Sequence, residues 1–162
     1  MIENKRCLVT GGAGFIGSHL VDELIKSNNK VIIIDNLSTG KNSNINPKAE
    51  FHNLDITNYD AISPLFQNTD YVFHLAAQAR IQPSIKDPRE TINTNVIGTT
   101  NVLLASREAK VKKVVYSASS SAYGEQDNLP LKEDMKTKLQ TPQVILGALR
   151  ENGRVSTCAA GG

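Results

Sequence analysis

The sequence predicts an α/β fold, a parallel sheet with helices wound over both faces, and three observations carry that prediction. Short apolar runs such as Cys7-Leu8-Val9-Thr10 and Val31-Ile32-Ile33-Ile34-Asp35 read as buried strands. Between those two, Ile16, Leu20, Val21, Leu24 and Ile25 recur at helical spacing and share one face. The same alternation of apolar run and helical pattern continues to about residue 117. Strands alternating with helices make a parallel, doubly wound sheet, with ligands bound beyond the carboxyl ends of the strands.

The first βαβ unit is the most informative. Its strand runs into Gly11-Gly12-Ala13-Gly14-Phe15-Ile16-Gly17. Gly11 allows a sharp turn, Gly14 leaves room for a pyrophosphate against bare backbone, and Gly17 lets the helix pack closely on the sheet. The amides and positive dipole of the helix N-terminus then face the phosphates. Asp35 ends the next strand 18 residues beyond Gly17, where a carboxylate can bind both hydroxyls of a ribose. The same carboxylate repels a 2′-phosphate, and Asn36-Leu37-Ser38-Thr39-Gly40 offers no arginine to neutralise one. The expected cofactor is therefore NAD, held on a Rossmann-like sheet.

Downstream, the polar stretch from Ser38 to Glu50 reads as a loop, and Phe51 to Asp55 as a third strand. Thr57 is the expected cap of a helix running to about Leu65, with Pro64 ending or offsetting it. Asp70 to Ala77 forms the fourth strand. His74 within it has a catalytic reading and a plainer one as a packed, hydrogen-bonded residue, and the plainer one is favoured. Asp87-Pro88-Arg89-Glu90 opens a long helix as N-cap, first helical residue and capping box. Ile92, Val96, Leu103 and Leu104 carry that helix to about Ala109, and Gly98 permits close packing or a ligand's approach. Lys112 to Ser117 is the fifth strand.

At 162 residues the chain buries one core, and 40% apolar with 21% charged residues is ordinary for a globular domain. A net charge of +2 does not indicate nucleic acid, and Lys110-Val111-Lys112-Lys113 reads as a solvated turn. Cys7 and Cys158 make neither a disulfide framework nor a metal cluster, so a reducing cytoplasm is expected and no metal. No apolar run has the length of a signal or membrane segment.

The motifs TGGAGFIGSHLVDELI (10–25), DNLSTG (35–40), LDI (54–56), HLAAQA (74–79), TNVIGTTNVL (94–103) and VVYSASSSAYG (114–124) occur in an order that resembles the extended short-chain dehydrogenase/reductase family. Within it they are similar to the nucleotide-sugar epimerases and dehydratases, above all the UDP-glucose 4-epimerase type. The resemblance covers residues 5 to about 134. It implies that Phe15 and Ile16 contact the pyrophosphate, Asp35 and Asn36 the adenosine ribose, and Asp55 and Ile56 the adenine. It further implies that Leu75, Ala76, Ala77 and Ala79 line the nicotinamide side with Thr94 beside them, and that Ser119 hydrogen-bonds the sugar hydroxyl being oxidised. The substrate it implies for full-length relatives is a UDP-sugar, oxidised at C4 by NAD and reduced again on the other face.

Family members take the hydroxyl proton with the tyrosine of a Tyr-x-x-x-Lys motif. Here Tyr59, Tyr71, Tyr116 and Tyr123 are followed four residues on by Ser63, Leu75, Ser120 and Asp127, and no aromatic residue follows Gly124. The expected organisation is an incomplete NAD-binding domain of about five strands over 1–134 and a tail over 135–162 unlike the family, as in a truncated or frame-altered relative. Two functions compete: an epimerase by descent with its cofactor half present and its catalytic half lost, or a non-catalytic dinucleotide-binding or interaction module. Either leaves a sheet edge open to self-association.

Overall fold

The computed structural model describes residues 2–79, 82, 85, 87–118, 123, 130, 132, 134 and 135. The expectations for Ser119 and for the tail beyond Met135 fall outside these residues. Strands β1 (Arg6–Thr10), β2 (Lys30–Asp35), β3 (Glu50–Asn53), β4 (Tyr71–His74) and β5 (Lys113–Tyr116) pair in parallel, in the order β3-β2-β1-β4-β5. The central strand β1 sets Val9 beside Ile33 of β2 and Phe73 of β4.

Successive residues of β1 and β2 serve opposite faces. Leu8, Ile32 and Ile34 join Ile62, Phe66, Val72 and Val102 in one core, while Cys7, Val9, Val31 and Ile33 join Val21 and Leu24 in the other. A strand covered on both faces must be apolar at every position, which is why these strands read as unbroken apolar runs. Burial and the neighbouring Asp70 charge push the Cys7 thiol up to about 11, so it packs as an inert apolar group.

Helix α1 (Phe15–Lys26) covers the second core and begins at Gly14 without a side-chain cap. Helix α2 (Tyr59–Ile62) is a single turn that Pro64 converts into a 3₁₀ turn over Ser63–Phe66. Its cap is Asn58 rather than Thr57. The Asn58 carboxamide accepts the Ala61 N–H at 3.2 Å, whereas the Thr57 N–H is drawn into an Asx turn on Asp55 Oδ1 at 2.8 Å.

The long helix expected after Asp87 is three segments in line: α3 (Pro88–Ile92), a π turn (Asn93–Gly98) and α4 (Thr99–Glu108). Asp87 caps it as expected, accepting the Arg89 N–H at 3.1 Å. Glu90 does not complete the box; its carboxylate accepts from Gln78 Nε2 at 3.0 Å instead. The π turn buries Asn95, whose carboxamide holds the Gln78 backbone from both sides, accepting its N–H at 2.8 Å and donating to its carbonyl at 3.1 Å. Asn101, on α4, donates to the Ile56 and Thr57 carbonyls. The helix therefore grips the two loops that follow β3 and β4, and a π turn at such a place is a common mark of a functional site.

At the opposite end of the sheet, Asp70 joins three strand starts. Its carboxylate accepts from Arg6 N at 3.0 Å and from Lys112 Nζ at 2.6 Å, and its backbone bonds both residues again. The Lys112 ammonium and the Arg6 N–H hold the Asp70 carboxyl below the usual carboxylate range. Among the described residues no helix is long and apolar enough to cross a membrane.

Candidate functional site

Strand order reverses direction beside β1: the chain winds outward through β2 and β3, then returns to place β4 on the other side. A crevice opens at that switch point, beyond the carboxyl ends of the strands. Its floor is the glycine turn. Gly11 has φ +74°, donates its N–H to the Ile34 carbonyl at 2.8 Å, and lies so close to the loop after β4 that a Cβ there would fall 2.8 Å from Ala76 N. Only glycine combines that backbone with that contact. At Gly17 a Cβ would fall 2.1 Å from the Gly11 carbonyl oxygen, so the close approach of α1 is made to the turn at the strand end.

The resulting cleft has an empty volume of about 560 Å³, open solvent at its mouth included. Gly11 and Gly14 lie on one side, and Asp35, Asn36, Asp55 and Ile56 line one end. Leu75, Ala76, Ala77 and Thr94 line the other. Ten of the residues expected at a cofactor site thus share one cleft. Phe15 and Ile16 stand outside its lining and are 79% and 63% exposed. Gly17 is buried beneath the turn, and Ala79 is exposed beyond the lining. Ser38, Thr39, Leu54 and Gln78 also line the cleft. Ser38 and Thr39 sit inside the DNLSTG motif, whose position after β2 was the one sign of them.

Among the described residues no lysine, arginine or histidine lines the cleft. Asp35 is 8% exposed, and each of its oxygens accepts one backbone N–H: Ala13 on Oδ2 at 3.0 Å and Leu37 on Oδ1 at 2.8 Å. A carboxylate has about four acceptor positions, so two remain. Asp55 accepts from Asn36 Nδ2 at 2.7 Å, bridging the ends of β2 and β3. Burial works against its charged form, but the hydrogen bonds from Thr57 and Asn36 outweigh it and hold the carboxyl below its usual range.

His74 is fully buried, with Nδ1 2.6 Å from Thr10 Oγ1 and Nε2 2.9 Å from Thr99 Oγ1. Thr10 Oγ1 also accepts the Ala76 N–H at 3.3 Å. The histidine is a strut between β1, β4 and α4, the packed role favoured from sequence. Among the described residues no group of His, Cys, Asp and Glu is placed to hold a metal ion.

Fold and cleft together define a Rossmann-like doubly wound domain with its site at the switch point. The sequence profile of the NAD dependent epimerase/dehydratase family matches residues 7–144, and the chain belongs to that family. It is 40% identical over 159 residues to the UDP-glucose 4-epimerase of Lactobacillus helveticus, an alignment covering 91% of this chain and 48% of that protein. The structure of Thermotoga maritima UDP-glucose 4-epimerase with UDP-glucose superposes with a TM-score of 0.85 at 40% identity, over 90% of this chain and 48% of that one. Thermus thermophilus UDP-glucose 4-epimerase in complex with NAD gives 0.85 at 34% identity, over 90% and 48%. The chain thus spans about half the length of these relatives, and the matched part is their Rossmann-like portion.

Proposed function

We propose that this chain is the NAD-holding portion of a UDP-sugar epimerase of the UDP-glucose 4-epimerase type. The observation that carries the reading is Asp35: a preset carboxylate in a cleft that no cation lines among the described residues, with two acceptor positions left for the two hydroxyls of an adenosine ribose. A 2′-phosphate in the same place would meet Asp35 and Asp55 with no cation among the described lining residues to neutralise it, which favours NAD over NADP. The glycine turn and the uncapped start of α1 take the pyrophosphate, Asn36 with Asp55 and Ile56 takes the adenine end, and Leu75, Ala76, Ala77 and Thr94 take the nicotinamide end.

Bound NAD supplies a hydride acceptor. What this chain adds is position. Asn95 and Glu90 fix Gln78, and the His74 strut fixes Ala76, so the loop against which the nicotinamide would lie is held at both ends. Ser119 is the proposed hydroxyl-orienting residue. The Tyr-x-x-x-Lys base does not occur in these 162 residues, so we infer that the chain by itself binds the cofactor without turnover.

Titration calorimetry with NAD and NADP tests the site. NAD is expected to bind in preference to NADP. Asp35→Ala is expected to weaken NAD by roughly 1.5–3 kcal/mol for each ribose bond lost. Unchanged affinity in that variant would remove the assignment. A second reading, an interaction module, draws on β5, which no further strand flanks among the described residues.

A further inference from the structure

We propose that Gly40 is a specificity-determining residue: its missing side chain lets the Asp35 carboxylate stand where it accepts a ribose diol and turns away a 2′-phosphate. This rests on the reading of the cleft as an NAD site.

Gly40 does not owe its place to backbone conformation. Among the described glycines only Gly11 has a positive φ, so the backbone at 40 would accept alanine. Space is the constraint. A Cβ on Gly40 would fall 2.8 Å from Asp35 Oδ1, 3.1 Å from Oδ2 and 2.9 Å from Ala13 Cβ. Contacts under 3.0 Å force something to move, and the surroundings decide what.

The loop cannot simply lift. Lys41 donates its N–H to the Ala13 carbonyl at 3.1 Å, and Asn44 Nδ2 donates to the same oxygen at 2.9 Å, so the chain just after Gly40 is tied to the glycine turn at two points. Ala13 cannot retreat either, because it is fully buried in that turn. The end of the Asp35 side chain is the soft element. A side chain at position 40 therefore displaces the carboxylate and loosens its bonds from Ala13 N and Leu37 N, the bonds that leave the right two acceptor positions free. Ala13 closes a circuit: its N–H holds Asp35, and its carbonyl holds the loop that carries Gly40.

The test is a double-mutant cycle on the full chain, with NAD and NADP titrated into the wild type, Gly40→Ala, Asp35→Ala and the double variant. Gly40→Ala is expected to weaken NAD about tenfold or more, the scale of one hydrogen bond lost to a charged group, and to narrow the preference for NAD over NADP. In the Asp35→Ala background the same substitution is expected to change NAD affinity less than about twofold, because its target is gone. Equal losses in both backgrounds, or a Gly40→Ala variant with wild-type affinity and preference, would overturn the proposal. The Ala13 amide proton reports the contact without ligand. Its chemical shift and exchange protection are expected to change in Gly40→Ala, and an unchanged amide would also overturn it. A wild type that takes no NAD would bring down the cofactor reading and the specificity role with it, while the Ala13 amide would still decide whether Gly40 holds Asp35.

Discussion

Gly11 shows how much one residue carries at a switch point. Alanine there would adopt a left-handed backbone, at a cost of about 1–2 kcal/mol, and would press its methyl on the Ala76 amide. Because the obstruction is backbone, the loop after β4 has to move. Gly11→Ala is expected to lower stability by at least that cost, read from denaturant unfolding, and an unchanged midpoint would contradict the contact. The glycines and Asp35 were legible in the sequence because their spacing follows the turn chemistry and the length of one βαβ unit. Gln78 lies within the HLAAQA motif, but its role is not legible there. Its place in the cleft depends on Asn95, which lies 17 residues away and reaches it only through a π turn. No local pattern announces such a turn, so the sequence reads as one regular helix across it.

Local capping changed where residues of the cleft loops bonded groups near a helix start. Asp55 took the Thr57 N–H and passed the cap to Asn58, and Gln78 took the Glu90 carboxylate from its capping box. Both competitors come from the loops that form the cleft, so local capping gave way to the site. At the other end of the sheet, the Asp70 clip makes strand docking depend on pH. The Asp70 carboxyl is depressed in the folded chain, so its contribution is complete above the unfolded value near pH 3.9 and is lost as pH falls through the folded one. The Lys112 ammonium is raised by its bond to Asp70, so its share is complete below about pH 10.4 and is lost as pH rises through the folded value. Asp70→Asn is expected to melt a few degrees below wild type at pH 7, with the gap closing toward both extremes. A gap that persists once pH has fallen through the folded Asp70 value would assign the effect to packing.

As a whole, the molecule offers a cleft at the switch point and a positioned loop but, within its 162 residues, no Tyr-x-x-x-Lys motif for the proton step. Loss of general-base catalysis costs about 10² to 10⁴ in rate. The chain alone is expected to leave UDP-glucose and UDP-galactose unconverted over hours with NAD present. Conversion abolished by Tyr123→Phe would instead name Tyr123 as the base. The β5 edge leads to a second expectation, concentration-dependent self-association in light scattering; a single monomeric species at high concentration would mean that the edge is covered. The strand order has one more consequence, for the time when the chain is being made. β1 emerges first yet belongs between β2 and β4, and the bonds that seat it on its second neighbour span 64 residues. Until His74 has left the ribosome, the central strand is a template with one side filled, and the vacant side is open to a chaperone or to the β4 of another nascent chain.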